Sequence, residues 1–220
     1  MSTLNVTYDL AGALTAFMQA TEFPADQTGA AVLGDTAEVK ALVSAAQAGD
    51  QSAFGTLVAM HERAVVRTAM AALGSKEDAE DAAQDAFVTA WRKLDGFRGA
   101  SSFKTWLLTI TWRKALDRRR ARHAWWSRQS APPTWAEDQP FEHIPADDAS
   151  PERLTVSRDL VERARAEIAK LSPKLRDVLL LAVTGEHRYE DIASLLGVPT
   201  GTVKWRMNEA RRQLAERLER

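Results

Sequence analysis

The segment RYEDIASLLGVPTGTVKWRMNEARRQL (residues 188–214) has residue types and spacing suited to reading a nucleic acid. Ile192, Leu195 and Leu196 share one apolar helical face, and Ala193 is small enough to let a second helix approach. Gly197 suits the left-handed turn position that side chains resist. Val198 plugs the turn, and Pro199 precedes Thr200, a good capping residue. Val203 and Met207, four apart, then face inward, leaving Lys204, Arg206, Asn208, Arg211 and Arg212 to point outward. A short helix, a glycine turn and a second helix with a basic face form the layout that enters the major groove of duplex DNA. Lysine and arginine would hold phosphates, while residues from Thr200 to Trp205 would meet base edges. A solvated helical hairpin is the plainer alternative. The combination of small residue, glycine, cap and buried valine favours DNA.

A second constellation lies at residues 103–128, where Phe103, Trp106, Trp112, Trp125 and Trp126 are interleaved with eight Lys and Arg. Rings stack on unpaired bases and cations hold the backbone, a combination suited to single-stranded or melting DNA. Phe103 and Trp106 read as core anchors. Trp112, two residues past Ile110, falls off that stripe and is expected to be exposed. Four arginines within residues 118–122 exceed what a solvated helix end needs.

Enzyme chemistry finds little support. There is no cysteine, and the four histidines (61, 123, 143, 187) are scattered. His61-Glu62 lacks the second histidine of a zinc-protease helix, and no phosphate-binding glycine loop is present. No metal and no cofactor is expected. The acids of residues 76–95 lie on an apparently exposed face, and docking suits them better than paired acid–base catalysis.

The elements that must position these groups are helical. Periodicity near 3.6 dominates and no convincing strand pattern occurs. Residues 36–73 read as one or two helices. Ser75, with Glu77 and Asp78 behind it, opens a helix that runs to about Leu94 and ends at Asp95-Gly96. Phe97 to Ser102 is a short loop, and Ser102 is a candidate cap for the basic aromatic helix. Four further segments are expected: about 151–171, one from Ser172-Pro173 with proline at the first helical position, Tyr189–Leu196, and one from Thr200 onward.

Charge follows the same divisions. The chain of 220 residues carries 29 basic and 30 acidic side chains, net −1, with 45% hydrophobic residues. Residues 1–36 hold four acids and no base, 103–130 hold eight bases against Asp117, and 134–152 hold six acids and no base. Such alternation suggests separate partners for separate segments. Proline and acid content make residues 129–152 a linker. The expected organisation is all-α, with two helical domains at 37–128 and 153–220 joined by that flexible acidic linker. Ahead of them lies an N-terminal extension, 1–36, in which Leu10, Leu14, Phe17 and Met18 could form one amphipathic helix. No membrane-spanning stretch and no basic leader region is seen, so a cytoplasmic protein is expected.

Taken together, the two constellations resemble the extracytoplasmic-function (group IV) sigma factors of bacterial RNA polymerase, in the sigma-70 family. DAEDAAQDAFVTAWRKLDGFRG (78–99) is similar to the polymerase-binding helix of region 2 and its following loop. FKTWLLTITWRKALDRRRAR (103–122) resembles the promoter-melting helix. LSPKLRDVLLL (171–181) and the helix-turn-helix resemble region 4. The resemblance implies a non-enzymatic initiation factor that binds core polymerase and promoter DNA, and that an anti-sigma factor holds inactive. It implies that Asp81, Gln84, Asp85, Phe87 and Trp91 lie in or support the contact with the β′ clamp coiled coil, with region 4 at the β flap. The loop containing Phe97, Arg98, Ser101 and Ser102 would capture a base flipped from the minus-ten element. Trp112, Arg113, Asp117, Arg118, Arg119 and Arg120 would follow the melted strand. Thr200, Thr202, Lys204, Trp205, Arg206, Asn208, Arg211 and Arg212 would read the minus-thirty-five element. The acidic linker would thread toward the RNA exit path. A one-component regulator using the same C-terminal motif is the alternative, but no βα pattern supplies a sensor domain for it. A pure protein-interaction module fits the arginine run poorly.

Overall fold

The computed structural model describes residues 35–126 and 166–218. The acidic linker and all but Asp35 and Thr36 of the N-terminal extension, including its amphipathic segment, lie outside them. Among the described residues every regular element is helical. Helices α1 (Ala37–Gln47), α2 (Gln51–Leu73), α3 (Lys76–Lys93) and α4 (Phe103–Trp126) form the first unit, with a 3₁₀ turn at Leu94–Gly96. Helices α5 (Pro173–Val183), α6 (Tyr189–Leu196) and α7 (Thr200–Leu218) form the second. α2 packs against α1, α3 and α4, α3 also packs against α4, and α7 packs against α5 and α6.

Local chemistry sets the boundaries. The Thr36 hydroxyl caps α1 by accepting from the Val39 amide at 3.2 Å, and Asp50 caps α2 by accepting from Ser52 and Ala53. Gly74 ends α2 at φ 70°, and the Ser75 hydroxyl opens α3 by accepting from the Asp78 amide at 3.3 Å. Glu77 and Asp78 sit at the positive end of α3, and Arg92 and Lys93 at its negative end. The buried face of α3 is Ala79, Ala82, Ala83, Ala86 and Ala90. Methyl-sized side chains let α3 approach α2 and α4 closely, which keeps its long polar residues on the opposite face.

Helix α4 corrects one expectation. Trp112 is 1% exposed and belongs to the core, with Leu108 four residues before it and Ala115 three after. α4 is covered by α2, α3 and α6, so its apolar arc is much wider than the single stripe drawn through Ile110. Phe103 is a core anchor as expected, whereas Trp106 is only half-buried. Two caps fix the start of α4. The Ser102 hydroxyl accepts from the Thr105 amide at 3.1 Å, and both Asp35 carboxylate oxygens accept from the Phe103 amide at 2.9 Å.

In the second unit, α5 opens with proline at its first turn, but the Ser172 side chain makes no capping bond. The turn between α6 and α7 carries Gly197 at φ 64°, in the left-handed region. Thr200 is the first residue of α7 rather than its cap; the Pro199 carbonyl accepts from the Thr202 and Val203 amides. The two units are in contact, α6 against α4 and α5 against α2, and the buried apolar side chains of both form one continuous cluster.

Candidate nucleic-acid interface

Helix α7 divides cleanly. Val203, Met207, Ala210 and Leu214 are buried, spaced four, three and four apart. Gly201, Lys204, Trp205, Asn208 and Arg212 are exposed on the opposite side. Trp205 is 63% exposed, an unusual position for an indole and one that offers a flat apolar surface to a partner. Thr200, Thr202, Arg206 and Arg211 are half-buried at the flanks of this stripe. Arg206 and Arg211 therefore stand less far outward than their periodicity predicts. Arg212 is engaged within its own helix, donating to Glu209 at 2.6 Å and to Glu216 at 2.6 Å. Its guanidinium and the Gln213 amide hold the Glu209 carboxyl down to about 2.

The exposed side of helix α4 carries Arg113, Asp117, Arg120, Ala121, Ala124 and Trp125 among the described side chains. Three predicted strand contacts lie on it: Arg113, Asp117 and Arg120, the last two joined by an exposed 3.3 Å ion pair. The neighbouring arginines are committed elsewhere. Arg118 donates to Asp85 at 2.8 Å and to Asp81 at 3.2 Å, and these bonds raise its pKa. Arg119 donates to Asp177 of α5 from both terminal nitrogens, at 3.2 and 3.1 Å. Arg122 joins Asp78 at 2.8 Å and closes the end of α2 by donating to the Leu73 carbonyl at 3.4 Å. The arginine run thus acts largely as a clasp between helices, with Arg113 and Arg120 left on the open stripe.

Between α3 and α4 the loop is held from a distance. The Gln47 side-chain amide donates to the carbonyls of Leu94 and Phe97, at 2.9 and 3.0 Å. Phe97 is half-buried, its ring 5.0 Å from Trp106 and 5.9 Å from Phe103. Arg98, Gly99 and Ala100 are exposed, with Ser101 and Ser102 half-buried beside them. An aromatic floor with a polar rim is suited to receiving an unstacked base. Gln47 was not singled out by the sequence; no motif marks a side chain acting on a loop some fifty residues later.

The outward face of α3 carries Asp81, Gln84, Asp85 and Val88. The side chains of Asp81 and Asp85 are 62% and 51% exposed despite their shared bond to Arg118. Phe87 and Trp91 are half-buried supports, Trp91 lying 4.9 Å from the Phe54 ring. Val88, 50% exposed, sits at the C-terminal end of the acidic face and was missed, though its spacing from Gln84 and Asp85 could have revealed it.

Comparison with known proteins accounts for both sets of elements. Residues 57–125 match the family model for sigma-70 region 2, and residues 162–214 match that for sigma-70 region 4. The chain is 30% identical to the ECF RNA polymerase sigma factor SigW of Bacillus subtilis, over 82% of this chain and 96% of that protein. It is 33% identical to the RNA polymerase sigma-H factor of Pseudomonas aeruginosa, over 81% and 92% respectively. The chain belongs to the extracytoplasmic-function sigma factors of the sigma-70 family. Among solved structures it is similar to CnrH in complex with the cytosolic domain of CnrY, with a TM-score of 0.58 at 27% identity, covering 83% of this chain and 97% of that one. A second similar structure is the sigma factor RpoE in complex with the anti-sigma factor NepR from Bartonella quintana, with a TM-score of 0.56 at 26% identity, covering 76% and 96%. This sigma factor therefore carries region 2 on α2–α4 and region 4 on α5–α7, and serves transcription initiation by RNA polymerase. Among its described residues no helix is long and apolar enough to cross a membrane.

Proposed function

We propose that this sigma factor divides its work among three outward surfaces. The α3 face of Asp81, Gln84, Asp85 and Val88 docks on the clamp coiled coil of the polymerase β′ subunit. Charged contacts steer the encounter and Val88 supplies an apolar contact at the C-terminal end of the face. The loop 97–102 takes a base flipped from the minus-ten element, and Arg113 and Arg120 follow the melted strand behind it. Flipping costs a few kcal/mol, which stacking and strand contacts offset. Helix α7 enters the major groove at the minus-thirty-five element, with Lys204, Trp205 and Asn208 toward the base edges and the half-buried threonines and arginines toward phosphates. Region 4 also meets the β flap. The protein has no catalytic step of its own and works in the cytoplasm, where an anti-sigma partner of the kind seen with the similar solved structures restrains it.

The observation that carries this reading is the split of α7 behind the Gly197 turn: four buried side chains on one side, and an exposed Lys204–Trp205–Asn208 stripe on the other. Run-off transcription with bacterial core polymerase, combined with permanganate footprinting, tests it. Core-dependent initiation with unpaired thymines near the start site is expected. Duplex binding without core-dependent initiation would instead favour a one-component regulator.

A further inference from the structure

Helix α7 presents one large apolar group to solvent, and the neighbours of that group decide what it can recognise. Trp205 is 63% exposed, although indoles are mostly covered in folded proteins. It shares its side of the helix with the exposed residues Gly201, Lys204 and Asn208. Long side chains on a helix lean toward its N-terminus, over the residue about four positions earlier, which here is Gly201. No atom lies within 4 Å of where a side chain at Gly201 would begin. Open space therefore adjoins the ring on the side of the Gly197 turn, the end of the helix that meets base edges in a helix-turn-helix. Glu209, one turn beyond the ring, is a side chain of a kind that favours cytosine, because a carboxylate accepts from the cytosine amino group. Its oxygens are already taken: Arg212 donates to them at 2.6 and 3.0 Å, and Gln213 at 2.7 Å.

The indole carries a single N–H donor and no acceptor. Its broad face has one apolar counterpart in the major groove, the C5 methyl group of thymine. We infer that Trp205 is a specificity-determining residue that reads this methyl group in the upstream duplex, packing on it in the open space beside Gly201. Lys204 and Asn208, flanking the ring, supply the hydrogen bonds that guanine and adenine edges take. The pyrimidine at the Trp205 position is then recognised by its methyl group rather than by its hydrogen-bonding edge. 5-Methylcytosine, which carries the same methyl at the same place, is accepted there, and uracil is not. This inference rests on the proposal that α7 enters the major groove at the minus-thirty-five element.

The test uses holoenzyme reconstituted from the full chain and bacterial core polymerase. Its probes are duplexes carrying the upstream element recovered from a promoter library by run-off transcription. Each thymine of the element, on either strand, is replaced in turn by uracil, which removes the methyl group and leaves the O4 acceptor in place. At one position at least, uracil should weaken wild-type binding about fourfold, the worth of one buried methyl-sized group. At that position 5-methylcytosine should bind about fourfold tighter than cytosine. Trp205→Ala should bind the thymine and uracil duplexes equally, and so should Gly201→Leu, which fills the open space without touching the ring. Lys204→Ala should weaken both duplexes alike and keep their ratio. A flat uracil scan with wild-type holoenzyme would overturn the inference, as would an element recovered without thymine on either strand, or a thymine preference undiminished in Trp205→Ala or in Gly201→Leu. Base-pair substitutions across the same element separate the two proposals. If they weaken wild-type initiation while the uracil scan is flat, α7 still reads the element and only the methyl contact falls; if neither has an effect, the placement of α7 falls with it. Circular dichroism of each variant confirms that its helical content is kept.

Discussion

His187 ties acid sensitivity to one buried ring. The imidazole is buried where the loop before α6 meets α2, and its Nε2 lies 3.0 Å from the Thr68 hydroxyl. Burial dominates its surroundings and drives the pKa down from 6.5 to about 4. Asp191 and Glu186 pull it upward, and Lys104 pushes it further down. Unfolding returns the ring to water and to a pKa of about 6.5. Above that value the ring is neutral in both states and adds no pH dependence. Below it the unfolded chain takes up a proton that the folded chain refuses, so stability falls with acidification until the pH passes the folded value. For a fall from pH 7 to about pH 5, the linkage relation gives a loss of about 2 kcal/mol, and about 3 kcal/mol once the folded value is passed. His61 adds a change of the same sign, because burial lowers its pKa as well. Glu186 contributes only at lower pH, through its own depressed value. Urea titrations at both pH values, with the His187→Gln variant alongside, measure the effect. The variant should lose about 2 kcal/mol less than wild type over that interval. Equal losses in the two proteins, together with a proton NMR titration placing His187 near 6.5, would refute the reasoning.

Further predictions concern single side chains. Trp112→Ala should destabilise the protein by about 3–5 kcal/mol in denaturant titration, as expected of a core indole rather than a DNA contact. Asp81→Asn with Asp85→Asn should weaken binding to core polymerase in a pull-down or anisotropy assay. The same pair should change stability by less than about 1 kcal/mol, because both carboxylates are well exposed. Asp35→Ala should cost about 1 kcal/mol in stability by uncapping α4. Trp205→Ala should leave stability within about 0.5 kcal/mol while changing which sequences are recovered in a minus-thirty-five selection.

What could be read in the sequence was local. The Ser75 cap, the Gly197 turn, the buried pair Val203 and Met207, and the alanine face of α3 all follow from neighbours within one or two helical turns. Trp112 could not be placed this way, because its burial depends on three helices wrapping α4, one of them from the far end of the chain. The arginine run was misleading for a related reason. Its basic character is plain, but Arg118, Arg119 and Arg122 find partners at Asp85, Asp177 and Asp78, between 33 and 58 residues away. No periodicity encodes such pairings. Gln47, Asp35 and Glu186 were silent for the same reason: each acts on backbone or charge brought near only by folding. The exposed stripe of α7 was legible because a helix-turn-helix keeps its whole geometry within one short segment.

Separate surfaces of one chain are proposed to engage separate promoter elements in the same complex. Site-specific crosslinking in a reconstituted open complex tests this most directly, with a photoreactive phenylalanine analogue introduced in place of Arg98 in one protein and Trp205 in another. Crosslinks are expected from the Arg98 position to the melted minus-ten strand and from the Trp205 position to the upstream duplex. Crosslinks from both positions to one element, or from the Trp205 position to polymerase alone, would contradict it.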